Sequence, residues 1–516
     1  MRKMMMTLLV TAMGVATIAG CSGGNKVNTP QEPNPAVQES GAPSKKTFTF
    51  LTYSNPSWPY SADWPVWDYL EEKTGVRMEV ETPSGGVLAD ALSLTMASGK
   101  LPDLMFTQTK HLADKYGEQG ALANVLDYVD EMPNFKAWME KYPDAVQNTI
   151  ASDGKMYVLP NQGIGETNRM IWMYREDVFK KHGLKQPATW DELYVTLQEL
   201  KTLYPDSYPL AFRFGLRTLL NFGAAFNTPI SMNSDVASVH YDEVAKEWRY
   251  GATEENFKTM LTYLNKFYAE KLIPPDFLTI DTKLWQDIMS TNRSFITLDY
   301  VGRIDFFNSA LRKDNSEFNL AFMAPPAGPG GSQKNAFTQI SEGSFMISSK
   351  SKNIKDIVKF MDFFYSEEGK TLASWGKEGE TYATEGGVKK FIEDYQDVSD
   401  LRKKTGLATD GTYLWFDYDA HILLASPELQ SAYEQAPNYD SVQQPKPAFT
   451  AAEQEILSTV GDVLNKNRDE NVSKFILGNR SLSDWDKYVE EQNKLGVEQI
   501  VNIYKEAHDR LLNAAK

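Results

Sequence analysis

Cysteine is all but missing from this chain of 516 residues: Cys21 stands alone, so no intramolecular disulfide holds the fold. Histidine is scarce as well, and His111, His182, His240, His421 and His508 lie too far apart for metal-ligand spacing. Neither H-E-x-x-H nor G-x-S-x-G occurs, and Gly328 to Lys334 lacks the spacing of a phosphate loop. Positive charge is also short: 53 Lys and Arg against 69 Asp and Glu leave a formal charge of −16. Such an acidic chain argues against nucleic acid and against unassisted docking on anionic lipid. No internal repeat is visible. Ser152-Asp153-Gly154-Lys155, Ser231-Met232-Asn233 and Lys404-Thr405-Gly406 imitate the order of a penicillin-recognising enzyme. The imitation fails, because its serine should open a helix and instead precedes an Asp-Gly turn. Carboxylate pairs say nothing in a chain this rich in them.

What is present begins at the N-terminus. Arg2 and Lys3 precede an apolar run from Met4 to Ile18, shorter than the roughly 20 residues a membrane span requires. The run closes on Ile18-Ala19-Gly20-Cys21 with no A-x-A pattern. These residues resemble the lipobox of bacterial lipoproteins. That likeness implies a signal peptide over 1–20, diacylglycerol on the Cys21 sulfur, cleavage after Gly20 and an acyl chain on the new amino group. Several chains on one residue anchor durably where one does not. Residues 21–46 are rich in Pro, Gly, Ser, Asn and Gln and read as a flexible linker from bilayer to body.

The length exceeds one core, so at least two domains are expected. Phe48, Phe50 and Tyr53 mark a strand, Trp64, Trp67 and Leu70 a helix, and Val76, Met78 and Val80 a strand with one buried face. Leu88 to Met96 keeps helical spacing, and Leu101 to Phe106 reads as a third strand. This alternation predicts a mostly parallel sheet with helices on its faces. Beyond the Asp153-Gly154 turn a second α/β segment follows, with strands at Ile171–Arg175, Ser294–Leu298 and Asn319–Met323. Thr189 and Glu192 suggest a capping box for its helix. A strand at Ser344–Ser348 and a helix at Ile354–Tyr365 should rejoin the first sheet, and Ala451 to Leu512 is helical in pattern.

Several segments, in order along the chain, resemble the long lipoprotein branch of the family 1 extracellular solute-binding proteins. They are Lys100 to Leu104, Asp153 to Lys155 with Leu159-Pro160, Ile171 to Arg175, Thr189 to Leu193, Pro325 to Pro329, Ile354 to Gly369, Gly376 to Tyr382 and Asp484 to Tyr504. The resemblance implies an α/β, two-lobed, type II periplasmic-binding-protein-like fold with an interlobe cleft and a helical C-terminal region. It implies capture without catalysis or cofactor: the protein would bind an oligosaccharide and dock on the permease of an ABC importer, and nothing in the sequence suggests more than a monomer. The working place would be the outer face of the bacterial cell membrane. A peptide or another solute stays open as the ligand, and a lipid-anchored enzyme acting on glycans or the cell wall stays open as the other alternative. Lobe 1 is expected over 47–157 with a return at 335–400, and lobe 2 over 158–334 with its remainder and the C-terminal helices at 401–516. Some relatives carry a calcium loop after the Thr-Trp-Asp-Glu helix. Here Tyr204 to Pro209 offers one carboxylate where calcium needs six or more oxygens, so no such site is expected.

A sugar cleft needs flat apolar surfaces for the C–H faces and polar groups for the hydroxyls. The stacking candidates are Trp58, Tyr60, Trp64, Trp285, Trp375 and Trp415; Trp190, Trp248 and Trp485 sit on packing patterns. The hydrogen-bonding candidates, at strand ends and crossings, are Gln108, Asn161, Asn221, Asp299, Arg303, Glu342 and Glu378. The acidic body favours neutral over uronic glycans, although arginines such as Arg303 would reverse the field locally.

Overall fold

The computed structural model describes residues 45–55, 58–83, 88–162, 169–228, 236, 238–336, 343–442 and 444–514. Strands β1 (Lys46–Leu51), β2 (Val76–Glu81) and β3 (Leu104–Thr107) open the fold. They alternate with helices Pro65–Thr74 and Leu88–Ser98. The first helix starts where Pro65, at its first position, loses no hydrogen bond, and ends at Gly75 with φ 72°. The third strand begins later than its apolar pattern suggests, because Pro102 has no N–H and the Asp103 carboxylate is taken by Thr49 N and Oγ1, each at 3.1 Å.

Next come β4 (Met170–Arg175), the hairpin β5 (Val239–Asp242) and β6 (Glu247–Tyr250), then β7 (Ile296–Tyr300) and β8 (Leu320–Met323). Last are β9 (Ser344–Ile347) and the hairpin β10 (Tyr382–Glu385) and β11 (Val388–Phe391). Two sheets organise the molecule. The first runs β2-β1-β3-β9, with β9 the antiparallel member. The second runs β7-β4-β8, antiparallel on both sides of β4.

Each sheet has its own core. Phe48, Phe50, Leu104, Phe106, Phe345 and Met346 pack with Ile357, Phe360 and Met361 of the returning helix Ile354–Phe363. All six residues of β4 are buried, and its period of two splits them between opposite faces. Met170, Trp172 and Tyr174 join one cluster, Ile171 and Met173 another. The C-terminal helices Asp462–Leu477, Trp485–Leu495 and Val497–Ala514 close the first of these clusters through Phe475, Trp485, Tyr488 and Tyr504. Residues 401–415 depart from their expected allegiance: Leu401, Leu407, Leu414 and Trp415 belong to the core of the first sheet. Beyond them, Ala425, Leu429 and Ala432 pack against β4's other face.

Candidate functional site

The chain passes between the two cores three times. It leaves the first sheet where Leu159 N donates to Phe345 O at 3.0 Å, and reaches the second where Val301 N donates to Arg169 O at 2.9 Å. It returns between β8 and β9, and crosses again after Trp415. The second pass touches the chain again beyond Ala436 of the second core, with Asn335 N donating to Tyr439 O at 2.8 Å and Ser441 N to Asn335 O at 3.0 Å. The strand ends next to these passes carry the polar and aromatic groups considered below.

At the first sheet, β1 runs into Tyr53, whose ring lies 6.4 Å from Phe106 and whose hydroxyl donates to Asp410. Trp58 pairs with Asn55 in an isolated antiparallel bridge and stays half-buried. Over its ring, at 4.7 Å, sits the guanidinium of Arg402. Arg402 lies on helix Val398–Thr405 and gives its Nε–H to Ala408 O at 3.0 Å. That helix stops at Gly406, φ 72°, where a Cβ would stand 2.5 Å from the Trp64 ring, so the close approach needs glycine. Burial dominates the titration here. It raises the Asp410 carboxyl and the Tyr413 phenol, lowers Arg402, and holds His421 neutral well below the usual imidazole range.

The second sheet ends differently. Asp299 of β7 has no exposed surface and grips Arg213 with both oxygens, at 2.5 Å from Nε and 2.7 Å from Nη2. A second guanidinium, Arg303, reaches Asp299 Oδ1 through Nε at 3.2 Å. Two cations on one buried carboxylate leave a net positive end. Burial, offset in part by Asp299, lowers the Arg303 pKa. Two exposed phenylalanines flank the pair: Phe214 lies 4.2 Å from the Arg213 guanidinium carbon and Phe306 5.2 Å from that of Arg303. Phe214 holds φ at 69°, a strained conformation for a bulky residue.

The residues named from sequence fall into several places. Trp58, Tyr60 and Trp64 come together, with Tyr60 5.6 Å from Trp64 in a T-shaped contact. Trp64, however, is 6% exposed, gives Nε1–H to Lys403 O at 3.0 Å and stacks on Trp67. Trp285, Asp299 and Arg303 form the second group, yet Trp285 is wholly buried between Phe307, Arg213 and Arg303. It gives Nε1–H to Thr297 Oγ1 at 3.1 Å and offers no face to a ligand. Trp375 is likewise sealed, donating to Asp417 Oδ2 at 2.8 Å and lying 4.9 Å from Phe391. Trp415 is buried under two ammonium groups, Lys370 at 4.2 Å and Lys141 at 4.7 Å. Trp190, Trp248 and Trp485 are packing residues in the second core.

Among the polar candidates Gln108 is exposed beyond β3, and buried Asn161 reaches Gly343 O at 3.5 Å. Asn221, on helix Leu216–Phe222, is 6% exposed with no partner for Nδ2 among the described residues. Glu378 is exposed in the turn before β10. Cys21 and Glu342 lie outside the described residues. At 204–209 protein groups pin the chain: Lys201 Nζ donates to Ser207 O at 2.6 Å and Tyr208 N to Arg293 O at 2.7 Å. Sequence reading missed Tyr53, Arg213, Arg402 and Asp410. The Asp410-Gly411 dipeptide does signal a loop, but nothing local brings that loop to the end of β1.

Residues 55–371 match the bacterial extracellular solute-binding protein family, and the chain belongs to it. The fold is the α/β periplasmic-binding-protein fold, in a family of non-catalytic binding proteins of ABC transport. The polygalacturonan/rhamnogalacturonan-binding protein YtcQ of Bacillus subtilis (strain 168) is 24% identical over 524 residues, 98% of either chain. The fructooligosaccharide ABC transporter substrate-binding protein FusA of Streptococcus pneumoniae is 26% identical over 400 residues, 72% of this chain and 70% of that one. Lipoprotein LipO of Bacillus subtilis (strain 168) is 25% identical over 429 residues, 79% of each. Among solved structures, alginate-binding protein AlgQ2 without calcium ion superposes with TM-score 0.76 at 22% identity, covering 90% of this chain and 98% of that one. FusA in complex with kestose gives 0.72 at 19%, covering 91% and 100%.

Proposed function

We propose that this protein is a lipid-anchored receptor that captures an oligosaccharide between two lobes and hands it to an ABC importer permease. Lobe 1 would be built on the first sheet, including residues 401–415, and lobe 2 on the second, with the three passes as hinge. The observation that supports the reading is the pair of separately cored sheets, each with partly exposed aromatics beside arginines: Trp58 with Arg402, and Phe214 and Phe306 with Arg213 and Arg303. Rings of this kind accept the apolar face of a sugar while guanidinium groups take its oxygens. Closure follows from a ligand that touches both lobes only when they approach, since differential affinity for one state is what shifts a population. The names of YtcQ and FusA, both binders of sugar polymers or oligomers, support the ligand class, and that of LipO the anchor at Cys21.

Isothermal titration of the soluble body against oligosaccharide panels and peptide pools tests the reading. Saturable binding to an oligosaccharide is expected, with the sugar recovered unchanged; binding confined to peptides would replace it.

A further inference from the structure

Arg402 is 7% exposed and, among the described residues, forms no ion pair. Its Nε–H is spent on Ala408 O at 3.0 Å. Nη1 and Nη2, with four N–H donors, have no hydrogen-bond partner among the described residues, and neither is sealed from solvent. Asp410, an acid within electrostatic reach, accepts from the Tyr53 hydroxyl instead. The phenols of Tyr53, Tyr413 and Tyr433 also lie within electrostatic reach, and all three are held neutral. Contrast the second sheet, where Asp299 neutralises one of its two arginines.

A buried cation without an ion-paired partner is costly, and proteins seldom keep one that nothing pairs. Three features make it a site. The fork is fixed, because Nε is tied to the chain and the Trp58 ring lies over the guanidinium at 4.7 Å. Its remaining donors meet no acceptor among the described residues. And it shares a face with a half-buried indole fit to stack a ring. Paired Nη donors match the two oxygens of a carboxylate, which supplies the missing charge as well as both acceptors. A hydroxyl pair supplies acceptors alone.

Resting on the oligosaccharide reading above, we infer that the solute is acidic: a sugar residue stacks on Trp58 and its carboxylate docks on the Nη atoms of Arg402. The charge of the chain as a whole, −16, would repel such a solute at distance, so the local guanidinium decides.

The test titrates the wild-type protein with trigalacturonate, trimannuronate and the carboxyl-reduced form of each, then repeats the series with R402K and R402Q. One acid trimer should bind at least about 30-fold more tightly than its reduced form, as expected for losing a charged hydrogen-bonded pair. R402K should lose most of that preference, since a single ammonium lacks the fork, and R402Q all of it. The acid-versus-reduced comparison on the wild type needs no variant to fold. Equal affinity for acid and reduced trimers, or an acid preference kept by R402Q, overturns the inference and leaves an oligosaccharide receptor. Failure of all four trimers and of every neutral oligosaccharide overturns both.

Discussion

Single residues carry the charge pattern, and Asp299 is the clearest case. With no exposed surface it holds Arg213 bidentately and Arg303 through Nε. Its replacement by Ala would leave two guanidiniums facing each other with nothing between. D299A should therefore lose about 3–5 kcal/mol of unfolding free energy in chemical denaturation, and a loss under about 1 kcal/mol would contradict the assignment. His508 allows a pH test. It accepts Trp248 Nε1–H at Nδ1, 3.2 Å away, packs against the Tyr241 ring, and is lowered below the usual imidazole range by burial, against Asp509 and Glu243. Because the unfolded chain then binds the proton more tightly, its stabilisation is complete above about pH 6.5 and fades as pH falls below that. H508N, whose Oδ1 can accept the same bond, should lose less stability than wild type between pH 7 and pH 5 by thermal melts. Legibility at this scale was uneven. Asp299 and Arg303 were visible as polar residues at a strand end, but Arg213 and Arg402 were not, since their roles come from partners 86 residues away in one case and from Trp58 in the other. Tryptophan composition does not tell a stacking ring from a packed one, for a physical reason: Trp285 and Trp375 have their N–H groups satisfied inside the protein, which makes full burial inexpensive.

At the scale of elements, local chemistry read well and register less so. The helix Trp190–Leu203 is capped as its sequence suggests, Thr189 Oγ1 accepting from Glu192 N at 3.2 Å, but the Glu192 carboxylate reaches back to Ala188 N at 2.8 Å, one residue beyond the expected partner. T189A should cost about 1 kcal/mol in denaturant midpoint experiments while T189S keeps most of it; a neutral T189A would mean the cap is redundant. Strands β1, β2, β4, β8 and β9 coincide closely with their apolar patterns, because one or both faces are buried. The strand expected at Ser294 opens two residues later, at Ile296, since buried Ser294 spends its hydroxyl on Pro209 O at 3.1 Å. Residues 401–415 pack in the core of the first sheet and not where their place in the chain suggests, for a similar reason: Leu401, Leu407 and Leu414 are as apolar as any core residue, and nothing in such a pattern says which of two cores will bury them.

For the molecule as a whole, the alternation of strands and helices and the helical end are legible, while the division of the chain between two separately cored sheets comes only from long-range contacts. The anchor is tested in cells. C21S should shift the protein from the membrane fraction to the medium or soluble fraction and abolish labelling by radioactive palmitate, and retained labelling would contradict lipidation at Cys21. Capture without turnover by two closing lobes is the central claim. Its most direct measurement is small-angle X-ray scattering of the soluble body with and without a saturating oligosaccharide, paired with mass spectrometry of the recovered sugar. The account predicts a smaller radius of gyration on binding and a ligand of unaltered mass. An unchanged radius at proven saturation, or a cleaved sugar, would contradict it.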